Sequence, residues 1–277
     1  MIPAVSGYRV VATPTAMDAY VTGMLHCYAL KTMLSAYTGP LIRVRRSSDD
    51  VEANISAVGG ALDTATLLTF AGSGDAFISK WYDQRGNFDA DQSTSTNQPK
   101  IVSAGSYLGA ATFDGVDDYL RTHTTAVVAL SFAMEAAMLT TPSSGSANYF
   151  GHPLLATTSN NGLTAQWQAD DGYINVYNFS GSSSLSYLHA NFNLNTNERN
   201  LWIMDRASYP PTLYTNGSAN SVNSGTSGSV DSGPFTDQDL YIGTLHADSQ
   251  FGNVAVKSFI VWTSNQSSNH SGIDAAM

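Results

Sequence analysis

Among the residues of this 277-residue chain that could do acid–base chemistry are three glutamates and a small group of clustered aspartates. Glu52 follows an arginine run, and Glu198 sits in a polar stretch. Glu135, in SFAMEAAML, shares a strand face with Ala133 and Ala137, whose small side chains leave room for a ligand. It reads either as a nucleophilic carboxylate or as a solvated strand residue. In FDGVDDYL, Asp114, Asp117 and Asp118 fall within five residues. Such a group suits Ca²⁺, because hard cations take oxygen ligands. Asp beside Gly equally caps a turn. No other cofactor is expected. The six histidines lack ligand spacing, and the single Cys27 excludes an internal disulfide and a thiolate metal site. Neither a Gly-Lys-Ser/Thr phosphate loop nor a Gly-x-Ser-x-Gly elbow occurs.

A second chemistry is sugar recognition, which uses flat aromatic faces and directed polar groups. The stretch KWYDQRGNFDADQSTSTNQPKIV supplies Tyr82, Asp83, Gln84 and Arg85. Further candidates are Trp167, Tyr173, Tyr177, Tyr187, His246 and Asp248. Trp81 reads as core, because ISKWYD alternates. The loop 83–97 is long for a plain connection. Its aromatics are expected to pin it to the body, leaving a polar tip for recognition.

The elements that must position these residues are mostly strands. Asp18–Tyr37 carries apolar residues near helical spacing and ends at Thr38-Gly39-Pro40, which predicts a helix. A short helix is expected over Thr64–Phe70, capped by Asp63. Strands are expected at Leu41–Arg45, Ala76–Tyr82, Ala110–Phe113, Ser131–Leu139, Leu201–Met204 and Leu240–Ile242. Asp170-Asp171-Gly172 joins Leu163–Ala169 to Tyr173–Phe179 in a hairpin, and Asn216-Gly217 marks another. In VAVKSFIVWT, alternation puts Val254, Val256, Ser258, Ile260 and Trp262 on one face. Thr263 and Gln266 resemble a capping box before a short C-terminal helix. Many short strands between turns predict an all-β sandwich or barrel. Residues 1–21 read as an N-terminal attachment arm and 22–277 as one sandwich domain.

Only 12% of residues are charged and the net charge is −10, which argues against nucleic acid as a partner. Arg43, Arg45 and Arg46 are followed by Asp49, Asp50 and Glu52, a pattern of mutual ion pairing. MIPAVSGYRVV lacks a signal peptide's basic start and apolar core, and no apolar run reaches the roughly 20 residues of a membrane span. Synthesis in a cytoplasm without a signal peptide is therefore expected, with no membrane insertion, the protein either staying inside or leaving by another route such as lysis.

FDGVDDYL, LYTNG and LYIG followed by SFIVWTS resemble a concanavalin A-like, laminin G-like jelly roll. AYTGPLIRVRRSSD with KWYDQRGN resembles the α-L-arabinofuranosidase B catalytic domain, and SNQSSNHSGIDAAM resembles the ending of phage and prophage proteins of this type. The resemblance implies an all-β jelly-roll sandwich with a few short helices. It would place a nucleophilic glutamate near 162–167, where no carboxylate stands, and a cysteine pair that is missing. Asp248 in HADSQFGN would match the acid/base aspartate. The resulting expectation is a non-catalytic, lectin-like adhesin at a virion surface. Its expected partners are a host-surface carbohydrate, other virion proteins and further copies of itself. A purely structural virion protein and an arabinofuranosidase-like glycoside hydrolase are the alternatives.

Overall fold

The computed structural model describes side chains for residues 16–122, 131–137, 139, 212–219, 239–244 and 251–277, with main chain alone for Met138 and the strands at 152–157, 163–168, 173–180, 184–191, 198–203 and 222–225. It is an all-β sandwich with a few short helical segments. Asn253–Trp262 is the centre of one layer. It pairs with Met24–Ala29 and Ser106–Asp114 on one edge and Ser131–Met138 on the other. Ser131–Met138 leads on to Glu198–Ile203 and Thr212–Thr215.

In the other layer Ala76–Trp81 pairs with Ile42–Arg46 and with Ala90–Asp91. From there the ladder passes through Leu120–Thr122, Leu240–Ile242 and His152–Thr157 to Leu163–Gln168 and Tyr173–Ser180. Lys100–Ser103 bonds to both Ala76–Trp81 and Ser106–Asp114, so one antiparallel sheet curls into both layers. Twisted sheets of many strands commonly fold over in this way.

The main core lies between the layers. Tyr28 brings them together, with ring centroids 6.3 Å from Trp81 and 6.4 Å from Phe259. Val44, Ile78, Phe113, Leu120, Phe132, Met134 and Val261 complete the packing. A second cluster covers the outer face of the 253–262 strand. There Met17, Cys27, Met33, Ala133, Ile260, Trp262 and Ile273 meet. The helical turn Ala16–Tyr20 and the helix His270–Ala276 close it, and the Trp262 indole donates to the Tyr20 carbonyl at 2.7 Å. Part of the expected arm thus packs on the sandwich through the buried Met17, while residues 1–15 lie outside the described residues.

Local signals placed several elements correctly. Asp63 caps Thr64–Ala71, accepting from the Thr66 N–H at 3.0 Å. Both expected hairpins form, and Asn216 and Gly217 take φ of 48° and 74°, as a tight hairpin turn needs. Three expectations fail. Asp18–Tyr37 is not a helix: Met24–Ala29 is a strand against 258–262. A short apolar run buried on both faces has no readable period, and pairing with a distant strand decided it. The expected capping box is also absent, since the Thr263 hydroxyl donates to the Gly23 carbonyl and Ser131 Oγ accepts the Gln266 N–H.

The third failure concerns VAVKSFIVWT. Glu135 pairs with Ser258 but Ala136 pairs with Val256, so Lys257 is an extra residue. This bulge reverses the alternation. Val254, Val256, Phe259 and Val261 enter the main core, while Ile260 and Trp262 enter the outer cluster.

Candidate functional site

The WYDQRG turn turns out to be a clamp. Trp81 is fully buried, as its alternation predicted. Asp83 and Gln84, expected to face a ligand, are 1% and 5% exposed. Asp83 Oδ1 accepts from the N–H groups of Cys27 at 2.8 Å and Arg85 at 2.9 Å. Its Oδ2 lies 3.0 Å from His26 Nδ1, whose ring sits between Tyr28 and Phe88. Gln84 Oε1 accepts from Met33 and Leu34, and its Nε2 donates to the Lys31 carbonyl at 2.7 Å. The turn therefore stitches 24–34 onto the strand end, with Gln84 spent on main chain and Asp83 on main chain and the His26 ring. Tyr82 is half-buried and donates to Asn54 Oδ1 at 2.8 Å; Arg85 is exposed.

A different group of polar residues gathers on the outer face of the 253–262 strand. The bulge sends Lys257 and Ser258 to the same face as Glu135, opposite the main core. There they line a cavity of about 360 Å³ with Lys31, Met33, Tyr107 and Gly109. Lys257 Nζ pairs with Glu135 Oε1 at 3.2 Å. Lys31 Nζ is held by the Ala276 carbonyl at 3.2 Å and by the Met277 main-chain oxygen. Burial pushes the Tyr107 phenol above its ordinary range, so it stays a donor. Ser258 is 1% exposed, and its Oγ has no partner among the described residues. Sequence reasoning found Glu135 and its small neighbours. It missed Ser258 and Lys257, because an extra residue in one strand leaves no mark on composition or period.

The acidic turn lies at the start of the same strand, beside Asn253. Asp114 pairs with Asn253 in the ladder. Asp114, Asp117 and Asp118 can each place one oxygen within 4.8 Å of the others. Their hydrogen bonds are those of a turn: Asp114 Oδ1 accepts from Val116 at 2.7 Å, and Asp118 Oδ2 accepts from the Asp114 N–H at 3.0 Å. Gly115 has φ of 80°, and a Cβ there would stand 2.9 Å from Asn253 Cβ. Burial, followed by the Asp114 charge, pushes the Asp118 carboxyl up to about 7.

Asp248 and His246 fall at 245–250, outside the described residues. The described residues on either side of that segment, Thr244 and Phe251, form an antiparallel bridge, and the Tyr119 ring, next to the acidic turn, lies 6.5 Å from Phe251. Trp167, Tyr173 and Tyr177 lie on strands described by main chain alone. The register sets Trp167 against Ile174, Tyr173 against Gln168 and Tyr177 against Thr164.

Residues 16–132 match the family model for the catalytic part of α-L-arabinofuranosidase B. A probable α-L-arabinofuranosidase B of Aspergillus clavatus is 37% identical over 75 residues, which is 25% of this chain and 15% of that protein. A substituted GH54 α-L-arabinofuranosidase soaked with 4-nitrophenyl α-L-arabinofuranoside aligns at 14% identity with a TM-score of 0.62, covering 95% of this chain and 65% of that one. An arabinofuranosidase complexed with arabinofuranosyl-α-1,2-xylobiose aligns at 15% identity, TM-score 0.58, over 95% and 64%. The sequence matches relate this chain to the arabinofuranosidase B catalytic domain, and the structural ones show a shared fold. They overturn the expectation of a non-catalytic phage adhesin or structural virion protein, since the proteins matched are glycoside hydrolases. The carbohydrate half of the expected partnership agrees with the sugars in those solved complexes, and the virion half has no counterpart in them.

Proposed function

We propose that this chain is a glycoside hydrolase domain acting on terminal α-L-arabinofuranosyl units. The observation that carries the reading is the family match over 16–132, and the fold agreement over 95% of the chain supports it. The chain spans about two thirds of those solved enzymes, so substrate and reaction are proposed on partial coverage.

Glycoside hydrolysis needs two carboxylates flanking the scissile bond, one of them a proton donor to the leaving oxygen. Asp248 is the acid/base candidate that the resemblance supplies. The 162–167 segment has no carboxylate, so the second one must come from elsewhere. Asp114 and Asp117 are the candidates we favour, because their turn pairs with Asn253, two residues past the Thr244–Phe251 bridge whose ends flank the segment containing Asp248. Glu135 is not favoured: among the described residues it is the one carboxylate side chain lining its cavity, and Lys257 pairs with it.

The test is release of 4-nitrophenol from 4-nitrophenyl α-L-arabinofuranoside. The expected outcome is turnover that Asp248→Asn lowers by at least about 100-fold. One of Asp114→Asn and Asp117→Asn should show a similar loss, while Glu135→Gln should not. A wild-type chain that leaves the furanoside intact overturns the reading.

A further inference from the structure

We propose that the cavity bounded by Glu135, Lys257, Ser258, Lys31, Tyr107 and Met33 is a second site that binds one neutral, polyhydroxylated ring, such as a free monosaccharide. This does not rest on the hydrolase reading, and the two sites are physically apart. Lys257 stands four residues along its strand from Asn253, and Gly109 five from Asp114. At about 3.3 Å per residue, the cavity lies roughly 13–17 Å from the acidic turn.

Size is the first argument. About 360 Å³ is at the small end of ligand pockets, enough for a single ring and not for a chain of sugars. Polar chemistry is the second. Ser258 Oγ is buried with no partner among the described residues, in a strand whose bulge turns it toward Glu135. A buried hydroxyl without a partner is costly, and a ligand hydroxyl would satisfy it. Charge is the third argument. Glu135 and Lys257 are 3.2 Å apart and neutralise one another, and the second ammonium, Lys31, is already taken up by the main-chain oxygens of Ala276 and Met277. An anion entering here meets the carboxylate, and a cation meets two ammonium groups. A sugar hydroxyl can donate to Glu135 and accept from Lys257 at once, leaving the pair together. Tyr107 adds an aromatic wall and a phenol donor.

Glu135 is the one carboxylate side chain in this wall among the described residues, and hydrolysis needs two, so the role proposed here is binding without cleavage. Gly109, at φ of 83°, fits the wall for a separate reason: a Cβ there would meet nothing within 4 Å, so only its backbone angle demands glycine.

The experiment is an amide NMR titration of the full chain with L-arabinose, D-xylose and, as ionic probes, acetate and ammonium. Saturable shifts centred on Gly109, Glu135, Lys257 and Ser258 with a sugar are expected, and none with the ions. Ser258→Ala removes a partnerless hydroxyl, so it should fold as well as wild type and bind the sugar about tenfold more weakly. Its turnover of 4-nitrophenyl α-L-arabinofuranoside should equal the wild-type value. No shift with either sugar, saturation by an ion instead, or unchanged affinity in Ser258→Ala would overturn the proposal. Loss of turnover in Ser258→Ala would overturn its separation from the hydrolytic site. The binding arm stands whether or not the chain hydrolyses furanosides.

Discussion

At the scale of single residues, Asp83 ties the 24–29 strand to the turn after Ala76–Trp81. Its carboxylate accepts from the N–H groups of Cys27, Arg85 and Phe88 and contacts the His26 ring, at 1% exposure. Removing one partner of a buried charged network leaves the others unpaired, which costs about 3–5 kcal/mol. Asp83→Ala should therefore lower stability by that amount in a urea melt, with no direct effect on sugar contacts. Asp118 behaves differently. Its carboxyl titrates near 7 in the folded chain and near an ordinary 3.9 when unfolded. Between those values the folded state holds a proton that the unfolded state has lost, so stability falls as pH rises from about 4 through about 7 and this contribution then levels off. Asp118→Asn cannot charge. It should flatten this dependence and melt higher than wild type at pH 8, while the two differ little at pH 4. The arginine run was legible at this scale, since its partners are neighbours in sequence or across one hairpin. Arg45–Asp50 and Arg46–Asp49 each close at 2.6 Å, and Arg43–Glu52 at 3.8 Å. Asp83 and Gln84 were not, because polar type says nothing about what will be packed on top.

At the scale of elements, signals confined to a few residues were readable. Asp63 before Thr64–Ala71 and Asn216-Gly217 between strands each act through local backbone geometry. Elements defined by remote pairing were not. Met24–Ala29 is a strand only because 258–262 lies beside it. The helix His270–Ala276 likewise depends on docking, since seven residues are too few to hold a helix alone. Its buried anchor is Ile273, which packs in the outer cluster with Met17 and Trp262. Ile273→Ala should cost about 2–5 kcal/mol in a thermal or urea melt. Hydrogen exchange should show the loss first in 270–276 and in the Ala16–Tyr20 turn beneath it. Equal protection in both segments would mean that the outer cluster does not hold them.

At the scale of the whole molecule, one curled sheet makes two sides with different uses. The main core is sealed between the layers, and the outer face of the 253–262 strand carries both an apolar cluster and a polar cavity. The proposed hydrolytic end and the proposed ring-binding cavity then share the same pair of strands, Ser106–Asp114 and Asn253–Trp262, at different heights. Sequence alone determined the all-β class, most turns and the local ion pairs, because each depends on residues close together in the chain. It also carried the link to arabinofuranosidases, through the segments at 36–49 and 80–87. Tertiary structure alone decided which polar residues are buried and which way the central strand faces. The physical reason is the period of two: the extra Lys257 exchanges the two faces from that point on, and no local property of VAVKSFIVWT records it.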